Sequence, residues 1–482
     1  MSDLYIYNSF SRNKQPFKSI KPNEVKMYVC GITVYDFCHI GHGRVMVAFD
    51  IIRRWLQYIG YSVSFVKNIT DIDDKIIQRA LENKESIYEL SNRFIDAMHA
   101  DAESLNVLKP DHEPRATQYV ESMINLIHAL KAEDYAYQSD EGDINFAVRK
   151  FANYGQLSGK TLCELQAGQR VAVRQSKRDP LDFVLWKKAK PDEPAESIWQ
   201  APWGAGRPGW HIECSAMSQA ILGEQIDIHG GGQDLQFPHH ENEIAQSEAV
   251  SKKRFANFWM HNGHVQINNV KMSKSLNNFV RIRDICDKYD GEIVRFFLAR
   301  AHYRSPINYS YNQLEDAQAA LTRLYSSLKP FESLFEPTQF SSDLSASKDT
   351  ICHIKKSDLS HDYRRQFYQA MNDDFNTPQA IAVLFNLANE LNRQPSQTLA
   401  KELINLAGIL GFLQKSPQSF LQRKRIDNNQ IEGHQIENFI KQRIEAKKAK
   451  DYSKADKIRS DLIKNGIALE DAPDGQTTWR RI

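Results

Sequence analysis

Apolar positions change their period along the chain, and each change marks a different kind of element. Lys26-Met-Tyr-Val-Cys30 is a short apolar run of the kind a buried strand shows. It passes through a glycine into His39-Ile-Gly-His42. Beyond that point Val45, Ala48, Ile52, Trp55, Leu56 and Ile59 recur at helical spacing as far as Gly60, a C-terminal stop. A second strand-like run, Tyr61 to Asn68, follows at once. Strand, helix and strand within about 45 residues predict a βαβ unit of a parallel, nucleotide-binding sheet.

From about Glu113 to Pro208 the pattern is mixed, with a helical stretch at Tyr119–Lys131 and a Pro/Lys-rich segment, Lys187-Lys-Ala-Lys-Pro-Asp-Glu-Pro194. It reads as an insertion in the sheet. The strand signals resume in Gln225-Ile-Asp-Ile-His229, which runs into Gly230-Gly-Gly232, and in Asn257-Phe-Trp-Met-His261. After about Tyr311 they fade, and Asp316–Leu334, Arg364–Leu391 and Leu399–Leu413 show helical periodicity. The polar stretches Thr338–His361 and Lys415–Gly433 are linker candidates.

A chain of 482 residues predicts several domains, and 41% hydrophobic with 25% charged residues is the balance of a soluble globular protein. No apolar run approaches the roughly 20 residues that cross a bilayer, and the start MSDLYIYNSFSRNK lacks a signal-peptide layout. These features predict a cytoplasmic protein without a membrane partner. The net charge of +2 announces no nucleic acid, so any basic surface must be local. Lys441–Arg459, with eight basic and three acidic residues on a helical pattern, is the candidate. The six cysteines, at 30, 38, 163, 214, 286 and 352, are sparse and irregular, which points to thiols or metal ligands rather than bridges.

His39-Ile-Gly-His42 falls at a strand-to-helix junction, where free backbone N–H groups and the helix dipole favour a polyphosphate. Two imidazoles there can donate to phosphate oxygens, and Gly41 lets a nucleotide approach the backbone. Lys271-Met-Ser-Lys-Ser275 follows the later strands; Lys271 and Lys274 can neutralise a departing pyrophosphate. The two motifs in this order around one parallel sheet resemble the class I aminoacyl-tRNA synthetases. In Phe237-Pro-His-His-Glu-Asn-Glu243, Pro238 suits a first helical turn and sets His239 and Glu243 four apart on one face, half of a metal site. The spacing equally permits His240 with Glu243, or a polar helix start facing water.

Together with Cys30 and with Cys214 in Gly209-Trp-His-Ile-Glu-Cys-Ser215, this cluster resembles the zinc-binding elements of cysteinyl-tRNA synthetases. The strings MYVCGITVYD, GWHIECSAM, HGGGQDLQFPHHENEIAQSEA and KMSKSLNN occur in that family's order, and the resemblance spans essentially the whole chain. It implies one zinc held by Cys30, Cys214, His239 and Glu243, with the ion selecting the substrate thiolate. It implies catalysis by His39, His42, Lys271 and Lys274. ATP contacts would come from those residues with Gly41, Gly230, Gly231, Gly232, Met272, Ser273 and Ser275. Gly31, Thr70, Trp210, His229 and Asp234 would shape the substrate pocket. The implied fold is α/β: a Rossmann-type catalytic domain (1–112 and 209–310) with an inserted connective region (113–208). A helical bundle (311–414) and an all-α anticodon-recognition region (415–482) follow. The implied partners are ATP with Mg²⁺, L-cysteine and tRNA(Cys), and the implied enzyme is a monomer that activates cysteine and transfers it to the tRNA without an editing domain. A tRNA-independent cysteine ligase could share the catalytic half, as could a non-catalytic RNA-binding protein with a structural zinc. Trp479 in the tail is expected to offer a stacking face to the anticodon end.

Overall fold

The parallel sheet is present at the centre of the protein in a computed structural model, which describes residues 3–161, 164, 177–267, 270–271, 279–335, 362–423, 431–471 and 477–481. Glu24–Thr33 pairs in parallel with Ser62–Thr70 on one side and with Ile226–Gly232 on the other; Ala256–Asn262 extends the sheet beyond Ile226–Gly232. Parallel neighbours need a crossover. Between the first two strands it is α1, Ile40–Tyr58, which is buried on nearly every side because the sheet covers one face and later helices the other. Gly60 leaves the helix at a φ of 103°, a conformation that costs glycine nothing. The outer edge is covered by an N-terminal hairpin, Tyr5–Asn8 with Asn13–Pro16, tied on by Ser9 N–H to Trp259 O (2.8 Å).

Residues 113–208 contain a separate antiparallel sheet in the order Ala136–Gln138, Ile144–Phe146, Phe183–Lys188, Gly206–Pro208. The helix Val120–Ala132 joins it to Trp210–Leu222, which returns the chain to the central sheet. A small three-stranded arm follows, with Val265–Ile267 between Val270–Lys271 and Ile307–Tyr309.

The last third is helical with two differences from the sequence pattern. Arg364–Leu391 is not one helix: Asp362–Asn372 and Thr377–Arg393 are separated by a break at which Asp374 and Phe375 take positive φ (59° and 52°). The break is held from outside the segment, since the buried Asp374 carboxylate accepts from Tyr7 N, Tyr303 Oη and Arg304 Nε at 2.7–2.8 Å. The chain then ends in a hairpin, Ile467–Asp471 with Thr477–Arg481, added to the helices Gly433–Lys448 and Tyr452–Lys464. The basic run Lys441–Arg459 is therefore two helices divided at Lys450, with Asp451 capping the second through Lys454 N–H.

One hydrophobic core runs from Leu4 to Leu421 through sheet and bundle; a second, small one holds Ile436, Ile440, Leu462, Ile467, Leu469 and Trp479. Trp479 is thus a core residue, 6% exposed, with its indole N–H donated to Glu437 Oε1 at 2.6 Å. Its expected stacking face is used inside the fold. Among the described residues no helix is long and apolar enough to cross a membrane.

Candidate active site and metal centre

Ligands of a parallel sheet bind beyond the carboxyl ends of its strands, and there the chain opens a cleft of about 360 Å³ lined by Gly31, His39, Gly41, His42, Trp210, Gly232, Asp234, Asn262, His264 and Phe279, among others. His39 is the N-cap of α1. Its Nδ1 accepts from His42 N–H and His42 Nδ1 accepts from His39 N–H, both at 3.3 Å, so the two rings stack 3.7 Å apart. With Nδ1 accepting, each neutral ring carries its proton on Nε2 as a donor. The dipole of α1 adds positive potential at the same place.

The segment after the lysine motif is anchored at this turn, and the one before it is anchored in the arm. Ile40 N–H donates to Val280 O (2.9 Å) and Ile282 N–H to Cys38 O (3.0 Å), while Val270–Lys271 pairs with the arm strand behind Gly263 and His264. Met272, Ser273, Lys274 and Ser275 lie outside the described residues, and of Lys271 only the backbone is described.

At the inner end of the cleft four ligand atoms converge from three segments. Cys30 Sγ lies 3.7 Å from Cys214 Sγ and 3.3 Å from Glu243 Oε1, and His239 Nε2 lies 3.2 Å from the same Glu243 oxygen. These ligand atoms are mutually within 4.8 Å, and all four residues are buried. A tetrahedral zinc with bonds of about 2.0–2.3 Å needs ligand-to-ligand edges of about 3.3–3.8 Å, so the set fits the ion. Electrostatics agree. Burial pushes the Cys30 thiol well up and the Cys214 thiol up, so a cation between them would favour their ionisation, and burial pushes His239 down to about 3, which keeps its lone pair available. Glu243 is held below the ordinary carboxylate value: burial works to raise it, but His229 and His239 outweigh that.

The regular helix starts at Glu241, not at Pro238; Phe237 is extended (φ −143°, ψ 131°) and His239 sits in an irregular turn before it. His239 and Glu243 still share a side. The geometry keeps both histidines beside Cys30 and Glu243. His240 Nδ1 meets His261 Nε2 at 2.8 Å, although His240 with His229, Cys30 and Glu243 forms a second, overlapping group of potential ligands.

The other expected contacts divide into two ranks. Gly31, Trp210, Gly232 and Asp234 line the cleft, and Trp210 is 39% exposed with its ring stacked on His239 at 4.3 Å. Thr70 and His229 lie behind it: Thr70 Oγ1 donates to Glu213 Oε2 (3.0 Å) and His229 Nε2 meets Glu243 Oε2 (2.8 Å). Gly230 and Gly231 give their bare faces to protein, since a Cβ there would meet the Phe49 ring at 2.3 Å and His240 at 3.0 Å. Two neighbours escaped the sequence reading. Asn68 Oδ1 accepts Gly31 N–H at 2.8 Å and lies 3.7 Å from Cys214 Sγ; His211 Nδ1 meets His239 Nδ1 at 2.9 Å. The position of Asn68 near the carboxyl end of a parallel strand was the available signal.

The chain matches the family model described as tRNA synthetases class I (C) catalytic domain over residues 16–319, and that of the DALR domain over 366–414. It is 56% identical over 484 residues to the cysteine–tRNA ligase of Burkholderia thailandensis and 56% identical over 481 residues to that of Cupriavidus necator, with 100% of both chains covered each time. Among solved structures it resembles Mycobacterium tuberculosis methionyl-tRNA synthetase in complex with methionyl-adenylate, at a TM-score of 0.54, 15% identity, and 80% and 89% of the two chains. It also resembles the Agrobacterium radiobacter K84 LeuRS in a ternary complex with tRNA and LeuAMS, at a TM-score of 0.56, 12% identity, and 84% and 86% of the chains. At such identities these two show the fold.

Proposed function

The chain belongs to the cysteine–tRNA ligases, class I aminoacyl-tRNA synthetases, and from that membership we propose how its residues divide the work. The enzyme activates cysteine with ATP and transfers it to tRNA. A carboxylate oxygen of cysteine attacks the α-phosphorus, the new O–P bond forms and pyrophosphate leaves. His39 and His42 donate from Nε2 to the phosphate oxygens as charge develops, supported by the N-terminus of α1. Lys271 and Lys274, with Met272, Ser273 and Ser275, would neutralise the β- and γ-phosphates alongside Mg²⁺, a reading supported by the anchoring of the segment's far flank at the histidine turn and of its near flank in the arm that lines the cleft. The 2′-hydroxyl of the terminal ribose, as class membership implies, then attacks the adenylate carbonyl and AMP leaves.

Cys30, Cys214, His239 and Glu243 would hold zinc. Bound there, it supplies a soft acceptor that favours a thiol with an ordinary pKa of about 8.5 as its thiolate and gives a serine hydroxyl no such gain. Convergence of these four side chains at the inner end of the cleft carries the reading. Trp210 and Asp234 would meet the amino acid directly. Thr70 and His229 would act at one remove, by fixing Glu213 and Glu243. The helical bundle and the terminal unit would contact the anticodon end of tRNA(Cys), and the enzyme would work as a cytosolic monomer. A tRNA-independent cysteine ligase accounts for the catalytic half alone and finds no support in relatives matched to the chain's end.

Cysteine-dependent ATP–pyrophosphate exchange tests the proposal. The protein should carry about one zinc per chain, lose exchange with a chelator and regain it with zinc. Cys214→Ala should lower metal content and cysteine affinity together. Fully active, zinc-free enzyme would sink the metal site, and serine activation within about tenfold of cysteine would sink zinc-based selection of the thiol.

A further inference from the structure

Arg44 follows His42 by two residues on α1 and is 2% exposed. Among the described residues no carboxylate faces it. Its guanidinium donates only to backbone carbonyls: Leu298 O, in the last turn of the helix Gly291–Ala299, and Ala301 O (3.2 Å), His302 O (2.6 Å) and Ser305 O (3.4 Å) in the turn beyond. Burying a cation without a counter-charge costs several kcal/mol, and an apolar side chain of similar volume would fill the same space without that cost. What an apolar residue cannot do is fix several carbonyls of another segment relative to α1. A planar fork does so, whereas the point charge of lysine does not.

The captured turn backs the opposite cleft wall. Gly263 N–H donates to Tyr303 O (2.8 Å), Ile307 N–H donates to His264 O (2.9 Å), and a Cβ on Gly263 would fall 2.4 Å from Ser305 O. Gly263, His264 and Val265 line the cleft across from His39 and His42. The far side of the turn is held by the helical bundle, through Tyr303 Oη–H and Arg304 Nε to the buried Asp374.

We propose that Arg44 is a positioning residue for ATP: it clamps the histidine end of α1 to the turn Ala301–Ser305 and so sets the spacing between the two cleft walls. The clamp rests on the reading that ATP lies between those walls. Cysteine and zinc are held elsewhere, by Cys30, Cys214, His239 and Glu243, none of which touches Arg44.

Arg44→Lys keeps the charge and removes the fork. In pyrophosphate exchange its kcat/KM for ATP should fall by about 10–100-fold, the scale expected for an ångström-sized misplacement, while zinc content and the dissociation constant for cysteine stay within about twofold of wild type. Tyr303→Phe loosens the same turn from the bundle side without touching α1, and should move kcat/KM for ATP in the same direction; it decides the matter if Arg44→Lys does not fold. Unchanged ATP dependence in the folded variants overturns the clamp. So does an equal loss of cysteine affinity and zinc, which would make Arg44 a general structural residue. Wild-type exchange in the same assay tests the reading of the cleft separately, so the clamp can fail while that reading stands.

Discussion

Glu292 is buried at the start of the helix Gly291–Ala299, where Tyr325 Oη–H and Leu413 N–H donate to its two oxygens at 2.8 and 2.7 Å. Burial outweighs these donors and pushes its carboxyl up to about 7, from an ordinary 4.5. Between those values an unfolded glutamate has released its proton and the folded one has not, so the unfolded chain binds fewer protons and stability falls as pH rises. The full effect is about 3 kcal/mol, present below about pH 4.5 and lost by about pH 7. Glu292→Gln removes the titration. Its melting temperature, compared with wild type at pH 5 and pH 8, should gain on wild type at the higher pH; a difference independent of pH would mean that Glu292 is already ionised in the fold. The candidate metal-binding quartet shows the same dependence on surroundings. Its sequence spacing admitted His239 and His240 alike, and what differs between them comes from far away in the chain: Cys214 joins the group with His239, while His229 joins the group with His240 and His261 meets the His240 ring.

Trp479 illustrates how an element can redirect a residue that its local sequence leaves ambiguous. In a polar tail it reads as an RNA-stacking ring, but the strand Thr477–Arg481 pairs with Ile467–Asp471 and turns it onto Ile436, Ile440 and Leu462. Trp479→Ala should therefore cost the small unit about 3–5 kcal/mol, and amide exchange across Gly433–Lys464 should accelerate while pyrophosphate exchange continues. Unchanged protection together with lost tRNA binding would return the ring to an RNA-facing role. The central strands and α1 were legible because each is an apolar run or stripe closed by punctuation such as Gly60. The break at Asp373–Asn376 lacked a decisive local signal, since Asp374 is held by Tyr7, Tyr303 and Arg304. The terminal hairpin was missed for a related reason. Its apolar face consists of Ile467, Leu469 and Trp479, too few residues to establish a period, and its partners lie on helices read as a basic run.

The two hydrophobic cores set where the molecule can be divided. A cut near Pro395, between the helices Thr377–Arg393 and Gln397–Ile409, would remove Leu403, Leu406, Phe412 and Phe420 from the core shared with the sheet. It would also remove the Leu410 carbonyl that accepts from the buried Arg295, whose other partners are Asp50 of α1 and the Leu105 and Asn106 carbonyls. Loss of every activity after that cut would say nothing about tRNA. A cut after Arg423 spares this core. The terminal unit is joined to the rest by surface contacts, among them Glu470 with Lys329 and Gln422 Nε2–H to Trp479 O at 3.4 Å, and exposed pairs of this kind contribute about 0–1 kcal/mol each. Residues 1–423 should therefore fold, bind zinc and form cysteinyl-adenylate at a rate within about twofold of wild type. If the removed helices neutralise tRNA phosphates, charging of tRNA(Cys) should fall by at least about tenfold, and its salt dependence should become shallower in proportion to the number of phosphates left without a cation. Exchange and charging, measured on one preparation across a salt series, separate the possibilities. Parallel loss of both would make the terminal unit a support for the catalytic fold, while full charging would place the anticodon contacts within the bundle.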